Sequence, residues 1–280
     1  MNLPVFYINM DSEPERRAFM EAMFAEKAPE LTLTRWPAVV ADAQMSAGQG
    51  VAYQPHLKNS ARWELMPSEI GCFESHRQIW AHILDHCPGG AVICEDDILL
   101  SETFSKVIAK LPLERLGLIK LDGFNASKRY GALRHFGALA VRGCAEMVPS
   151  TACYALSQAH AAQLLERSSA YCDTADDFIS KPTSEGPQAW QVEPAPVVQA
   201  MCVHDGQGQL PARVRQSARN TTSKAPRQRN KGPLHYRLGK EWRRIRTKLA
   251  NRLYADAGLI RSGGRHGMPE LAPDLGRYIQ

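Results

Sequence analysis

The apolar positions of this chain fall into two rhythms that alternate along its first two hundred residues. Val5-Phe6-Tyr7-Ile8 is a short, unbroken apolar run rich in β-prone side chains, which predicts a buried strand. The polar Asn9, Asp11 and Ser12 follow at its carboxyl end. Ser12 is expected to cap a helix carrying Phe19, Met20, Met23 and Phe24 on its apolar side. Leu31 to Trp36 alternates and predicts a second strand. Residues 41–66 lack a pattern and predict a long loop. Pro67-Ser68 opens a helix with Ile70, Phe73, Trp80, Ile83 and Leu84 near one face, ended by Pro88-Gly89-Gly90. Ala91 to Cys94 and Leu118 to Leu121 predict further strands, the first running into Glu95-Asp96-Asp97 and the second into Asp122-Gly123. Residues 123–150 predict a small antiparallel insert. Thr151 to Leu156 predicts a strand, Ser157 a helix cap and Val197-Val198-Gln199 a last short strand. Strand and helix in alternation favour an α/β sheet of parallel strands, in which ligands bind beyond the carboxyl ends of the strands. Asn9, Asp11, Glu95, Asp96, Asp97 and Asp122 are all expected there.

Beyond Gly206 the apolar residues thin out. The expected organisation is a domain over 1–205 and a basic, partly helical extension over 206–280. Charge supports that division. The chain of 280 residues carries a net charge of +5, yet Arg213 to Arg252 holds fourteen Lys or Arg and a single acid, Glu241, so the remainder is acidic overall. Residues 234–254 predict a helix with Leu238, Trp242, Ile245, Leu249 and Leu253 on one side and basic residues on the other. Such a helix can lie on an anionic bilayer or end as a solvated terminus. No recognised nucleic-acid motif accompanies the charge, so nucleic acid is not an expected partner. The seven cysteines are odd in number, scattered, and form no CxxC pair, which argues against a zinc site or a disulfide framework and suits a reducing, cytoplasmic location. The opening MNLPVFYINMD has no positive segment followed by a long apolar stretch, so no signal peptide is expected, and no run approaches the ~18–20 apolar residues of a membrane span.

Three acids at a strand end suit one kind of chemistry. Hard divalent ions such as Mn²⁺ and Mg²⁺ take oxygen ligands, usually one or two protein carboxylates, and act as Lewis acids on diphosphates. Side chains alternate along a strand, so Glu95 and Asp97 are expected on one face as the metal pair, and Asp96 on the other. The same three acids can also cap a helix and remain solvated.

The surroundings of the cluster decide between these. Pro67-Ser68-Glu69-Ile70-Gly71-Cys72-Phe73-Glu74-Ser75-His76, then Ile79-Trp80, then Ala91-Val92-Ile93-Cys94-Glu95-Asp96-Asp97-Ile98 resembles glycosyltransferase family 25, with its G-E-I-G-C-x-x-S-H block followed by I-L-E-D-D-V. Ser68 stands for the family's Gly and Cys94 for its Leu. The opening Val5 to Asp11 with Arg16-Arg17, the Trp36-Pro37-Ala38-Val39 segment, Thr151-Ala152-Cys153-Tyr154-Ala155-Leu156-Ser157 and Asp176-Asp177-Phe178-Ile179 are similar to further blocks of that family, over residues 3 to about 200.

The resemblance implies a GT-A-like nucleotide-sugar-binding sheet flanked by helices, a DxD-like metal site holding Mn²⁺ or Mg²⁺, and a UDP-sugar donor, most often UDP-galactose. It also implies an inverting transfer in which a carboxylate base deprotonates the acceptor hydroxyl. The implied acceptor is a lipopolysaccharide or lipooligosaccharide glycan at the inner face of the bacterial inner membrane. Another UDP-sugar, a protein acceptor, or a non-catalytic nucleotide- or carbohydrate-binding protein on the same scaffold are the alternatives. On this resemblance Asn9, Asp11, Arg16, Ala38 and Val39 line the uridine and ribose pocket. His76 touches a donor phosphate or buttresses Asp97, unless it is a core histidine bonded to backbone. Asp96 and Asp122 lie on the donor side, Asp122 toward sugar hydroxyls. Asp176 is the implied base, with Asp177 the neighbouring alternative. Glu95, Asp97 and a late His204 are the implied metal ligands.

Overall fold

The computed structural model describes residues 3–58, 60–182, 187–204, 210–215, 230–250 and 256–279. Its elements in chain order are β1 (Val5–Asn9), α1 (Pro14–Lys27), β2 (Leu33–Pro37), α2 (Ala43–Ser46), α3 (Pro67–His86), β3 (Ala91–Glu95), β4 (Ile98–Leu100), α4 (Phe104–Ile108), α5 (Leu113–Leu116), β5 (Leu118–Lys120) and β6 (Asp122–Gly123). There follow β7 (Lys128–Phe136), β8 (Leu139–Cys144), β9 (Cys153–Leu156), α6 (Gln158–Arg167), α7 (Ala175–Ile179), β10 (Trp190–Val192), β11 (Val197–Gln199), α8 (Ala212–Arg215), α9 (Leu234–Ala250), α10 (Asp256–Arg261) and β12 (Arg265–Gly267).

Among the described residues, nine strands form one sheet in the order β12-β7-β8-β10-β5-β9-β3-β1-β2, and β4-β11-β6 form a second, small sheet. The chain is thus a mixed α/β fold with a large sheet flanked by helices. The sheet expected to hold parallel strands is mixed: β2-β1-β3 and β5-β10 pair parallel, but β9 enters antiparallel between β3 and β5, and the β7–β8 hairpin extends the sheet antiparallel. The cause lies in residues 123–150, which do form an antiparallel insert. The insert joins the sheet instead of standing apart, and the chain leaving it returns against the direction of β3.

Both faces of the central strands are covered, which is why they read as continuous apolar runs rather than as alternation. Phe6 and Ile93 pack with Ile70, Phe73, Ile79, Trp80 and Ile83 of α3 on one side. Val5, Tyr7, Val92 and Cys94 pack with Met20 and Phe24 of α1 and Phe104 of α4 on the other. The two-residue period of β3 therefore turns Glu95, two residues past Ile93, toward α3.

Local details explain the helix ends. Ser12 is not the cap of α1. Glu13 occupies that position without a side-chain bond, and Pro14, whose missing N–H costs nothing at a helix start, opens the helix. The Glu69 carboxylate accepts the Met66 N–H at 2.9 Å at the start of α3. Gly71 lets α3 approach the segment after β2. A Cβ there would lie 2.3 Å from the Val39 carbonyl oxygen, so no larger residue fits without moving one of them. Ser157 caps α6 as expected, its hydroxyl accepting the His160 N–H at 3.2 Å.

The expected domain boundary at 205 falls outside the described residues. Later segments nonetheless pack on the body: β12 pairs with β7, and Ala272 and Leu275 share a buried cluster with Val198, Cys202 and Val203. The expected basic helix is observed as α9, and its last four expected residues, 251–254, are outside the described set.

Candidate active site

The chain turns sharply after β3, with Asp96 and Asp97 as the two residues between β3 and β4. The turn splits the acids. Asp96 points toward α1, where it accepts from Asn9 Nδ2 at 2.7 Å and from Arg16 Nη1 at 2.5 Å. Arg16 also places Nη2 3.6 Å from Asp97 Oδ2 and donates from Nε to the Arg213 carbonyl at 3.0 Å. All three side chains of the Asn9–Arg16–Asp96 group are buried. Removing one partner from such a buried pair typically costs about 3–5 kcal/mol, because the other charge is left stranded. Arg16 and Asp96 therefore brace the turn from behind, and the Arg16 guanidinium is already committed to protein oxygens.

Glu95 ends β3 and Asp97 lies in the turn after it, and the two meet at Gln199. The Gln199 amide nitrogen lies 3.4 Å from Glu95 Oε2 and 3.3 Å from Asp97 Oδ1, so one neutral donor spans both carboxylates. These separations exceed the ordinary N–H···O range, which marks weak bonds that a cation can replace. Two hard carboxylate oxygens flanking one donor position fit Mn²⁺ or Mg²⁺. Thr151 fixes the orientation of Glu95 by donating to Oε1 at 2.5 Å. Cys72, His76 and Glu95 also offer ligand atoms within 4.8 Å of one another, a set that mixes soft and hard donors.

His76 is fully buried, but it is not bonded to backbone. Trp80 Nε1, which can only donate, reaches the Tyr154 hydroxyl at 2.8 Å, and that hydroxyl lies 2.9 Å from His76 Nδ1. Tyr154 thus joins Trp80 and His76 in one buried hydrogen-bonded chain. Nε2 is itself buried without a hydrogen-bond partner. Burial pushes the imidazole down to about 3, opposed by the negative charge of Asp176, so His76 is neutral at physiological pH. Asp176 buries one carboxylate oxygen, Oδ1, without a partner. Asp177, beside it on α7, is raised by burial and by the Asp176 charge, while Arg62 pulls it down. Thus α3, β3 and α7 bring His76, Glu95, Asp176 and Asp177 into one neighbourhood.

The remaining expected residues are placed differently. Asp122 is completely buried. It pairs with the equally buried Lys120 at 3.1 Å and accepts from Ser150 Oγ at 2.5 Å, a closed structural network with no room for a sugar hydroxyl. Lys120 also donates to the Ser150 carbonyl at 2.6 Å, and Ser150 holds a left-handed φ of 133°, strain of a kind that clusters beside functional sites. Asp11 is exposed and paired with Arg35, which also donates to the Asn9 side chain at 2.9 Å and to its carbonyl at 3.1 Å. Ala38 donates its N–H to the Asn9 carbonyl at 3.0 Å, and Val39 donates its own to Ser75 Oγ at 2.8 Å, so this segment is stitched between β1 and α3. His204 is exposed, four residues beyond Ala200, whose N–H donates to the Asp97 carbonyl at 2.8 Å.

Sequence reasoning assigned no role to Gln199, Thr151, Tyr154, Lys120 or Ser150. For two of these a signal existed: Thr151 and Tyr154 both lie in the T-x-x-Y block. Lys120 shares a strand face with Asp122 by the two-residue period, which was also readable.

Residues 2–179 match glycosyltransferase family 25 (LPS biosynthesis protein), a stretch that holds β1, the Glu95–Asp97 turn, α3 and α7. A 122-residue stretch, 42% of the chain, is 33% identical to a protein from Drosophila pseudoobscura pseudoobscura described as a glycosyltransferase 25 family member. That match spans only 19% of the fly protein's length. With most of its length matched, and the matched part carrying the braced acidic turn, the chain belongs to glycosyltransferase family 25.

Proposed function

We propose that this glycosyltransferase works on a GT-A-like scaffold as an inverting, metal-dependent enzyme that moves galactose from UDP-galactose onto a lipopolysaccharide or lipooligosaccharide glycan. The observation that carries the reading is the shared position of Glu95 and Asp97 around one weakly held donor, next to His76 and Asp176. Glu95 and Asp97 are the residues that would hold Mn²⁺ or Mg²⁺, with His204 as a third candidate. When bound, the ion supplies Lewis-acid neutralisation of the charge that builds on a departing diphosphate.

The protein's own groups have distinct tasks on this reading. Arg16, Asn9 and Asp96 hold the turn rigid, so Asp97 does not have to be ordered at each turnover. Thr151 aims Glu95. The segment from Asn9 to Val39 borders the nucleoside. Asp176 or Asp177 takes the proton from the acceptor hydroxyl. The upward shift of Asp177 makes its carboxylate a stronger base while it remains ionised. Asp122 leaves the donor site and becomes part of its foundation.

None of the described helices is long and apolar enough to cross a membrane. Leu234, Leu238, Trp242, Ile245 and Leu249 of α9 are nonetheless all exposed, each with 48% or more of its surface in solvent, on a helix rich in Arg and Lys. This pattern supports peripheral binding to an anionic bilayer, on the cytoplasmic side where a lipid-linked acceptor would be met.

A donor screen tests the reading. The protein is incubated with Mn²⁺ and UDP-galactose, UDP-glucose or UDP-N-acetylglucosamine, and UDP release is measured. Release confined to UDP-galactose, and lost with EDTA, is the expected result. Release with another sugar alone corrects the donor, and no release with any sugar removes the transferase assignment.

A further inference from the structure

A cleft of about 500 Å³ lies between the loop carrying Arg62, Trp63 and Glu64 and the start of α9. We propose that this cleft is the subsite for an anionic, phosphate-bearing stretch of the acceptor glycan. The proposal rests on the transferase reading and adds to it the place and charge of the acceptor.

Three observations carry it. The first is position. The cleft loop is tied to the segment leading into α7: the Ala61 N–H donates to Asp173 Oδ1 at 2.7 Å, and Cys172 Sγ lies 3.5 Å from the carbonyls of both Arg62 and Trp63. The Arg62 charge acts directly on Asp177. The cleft therefore shares its loop with the segment that leads to the candidate bases.

The second is charge. Arg62, Lys231, Arg237 and Lys240 line the cleft. The acids among the lining residues are already engaged. Glu64 accepts from Asn230 at 2.9 Å and from His56 at 2.8 Å, and Glu241 lies 3.7 Å from Arg244. Arg62 buries its Nε with no hydrogen-bond partner, while its charge faces both the cleft and α7.

The third is rigidity. Trp63 stacks on His56 with ring centroids 4.5 Å apart and packs against Tyr236 at 4.9 Å. Tyr236 donates to the Ser60 carbonyl at 2.9 Å. Gly232 passes so close that a Cβ would lie 2.6 Å from the Trp63 ring. The start of α9 is thus clamped to the loop, and the cleft wall is built before any ligand arrives. Leu234 and Leu238 line the same cleft and begin the exposed apolar stripe, so the helix that would lie on a bilayer also forms the wall facing a lipid-linked glycan.

The test uses the full chain and three probes: a phosphorylated lipopolysaccharide core oligosaccharide freed of lipid A, the same oligosaccharide after dephosphorylation, and phosphatidylglycerol vesicles. Binding is measured by calorimetry for the wild type and for Arg237→Glu/Lys240→Glu, with thermal unfolding as the check on folding. If that pair lowers Tm, Arg237→Gln/Lys240→Gln replaces it. The proposal expects the phosphorylated oligosaccharide to bind about tenfold more tightly than its dephosphorylated form, and the double variant to lose about the same factor, near 1.4 kcal/mol. Equal binding of the two oligosaccharides, no binding of either, or loss confined to the vesicles overturns it. UDP binding with Mn²⁺ is followed on the same samples. A wild type that binds the phosphorylated oligosaccharide but not UDP removes the transferase reading and leaves the anionic subsite standing.

Discussion

Two groups of acids in this protein, one at the end of β3 and one just after β5, have different surroundings. Asp122 is sealed, with a full ammonium charge from Lys120 and a hydroxyl from Ser150 on its two oxygens and no exposure to water. Glu95 ends β3 and Asp97 lies in the turn after it; Thr151 holds Glu95, Arg16 stands 3.6 Å from Asp97, and the group that spans the two is a neutral amide at long range. Both groups were expected at the site by their position after an apolar run, Glu95 and Asp97 as metal ligands and Asp122 toward sugar hydroxyls. The difference teaches that a strand-end carboxylate becomes a ligand only where its partner can be displaced. A buried ammonium cannot leave without stranding its own charge, whereas an amide can turn aside.

The largest expected effect breaks the open pair. Asp97→Ala should lower the rate of UDP release on the order of a thousandfold, because the stabilisation of the leaving diphosphate is lost. Far-UV circular dichroism should be unchanged. Asp122→Ala should instead act on folding. It leaves Lys120 buried and unpaired, for a loss of about 3–5 kcal/mol read in urea unfolding, and pairing it with Lys120→Met should recover much of that loss. A Lys120 that tolerates the single substitution without loss would erase the contrast.

Acidity gives a smaller, graded effect. Burial holds His76 at about 3 and His160 at about 4, both below the free value of 6.5. As pH falls the unfolded chain takes up these protons first, so stability is fully present above pH 6.5. It is then lost at about 1.4 kcal/mol per pH unit per histidine down to each folded value. His160→Gln should flatten this slope in unfolding titrations between pH 4 and 6.5. The smallest effect on folding belongs to α9. Trp242→Ser should change stability by no more than about 0.5 kcal/mol, because the ring is mostly in solvent, yet lower binding to anionic vesicles several-fold.

Much of this was legible in the sequence for a physical reason. Strands buried on both faces read as unbroken apolar runs, and Val5 to Ile8 and Ala91 to Cys94 were placed by that alone. The rest depended on contacts between distant segments. Ser12 was displaced as a cap because Pro14 starts a helix without one. The antiparallel entry of β9 depends on where the insert docks, which no local pattern records. The bond between Asp122 and Ser150 was not legible, because the two lie 28 positions apart. Gln199 could not be singled out, since nothing in Val197-Val198-Gln199 tells that its amide reaches back about a hundred residues to the acidic turn. His76 was singled out from its motif, but the chain of bonds from Trp80 through Tyr154 that holds its ring appears only in the fold.

The most direct test of the account is a calorimetric titration of UDP into the wild type with Mn²⁺, into the wild type with EDTA, and into Asp97→Ala with Mn²⁺. Binding should be seen in the first and be at least about tenfold weaker in the other two. Equal affinity in all three would mean that Glu95 and Asp97 hold no ion for the diphosphate, and the site as described would be wrong.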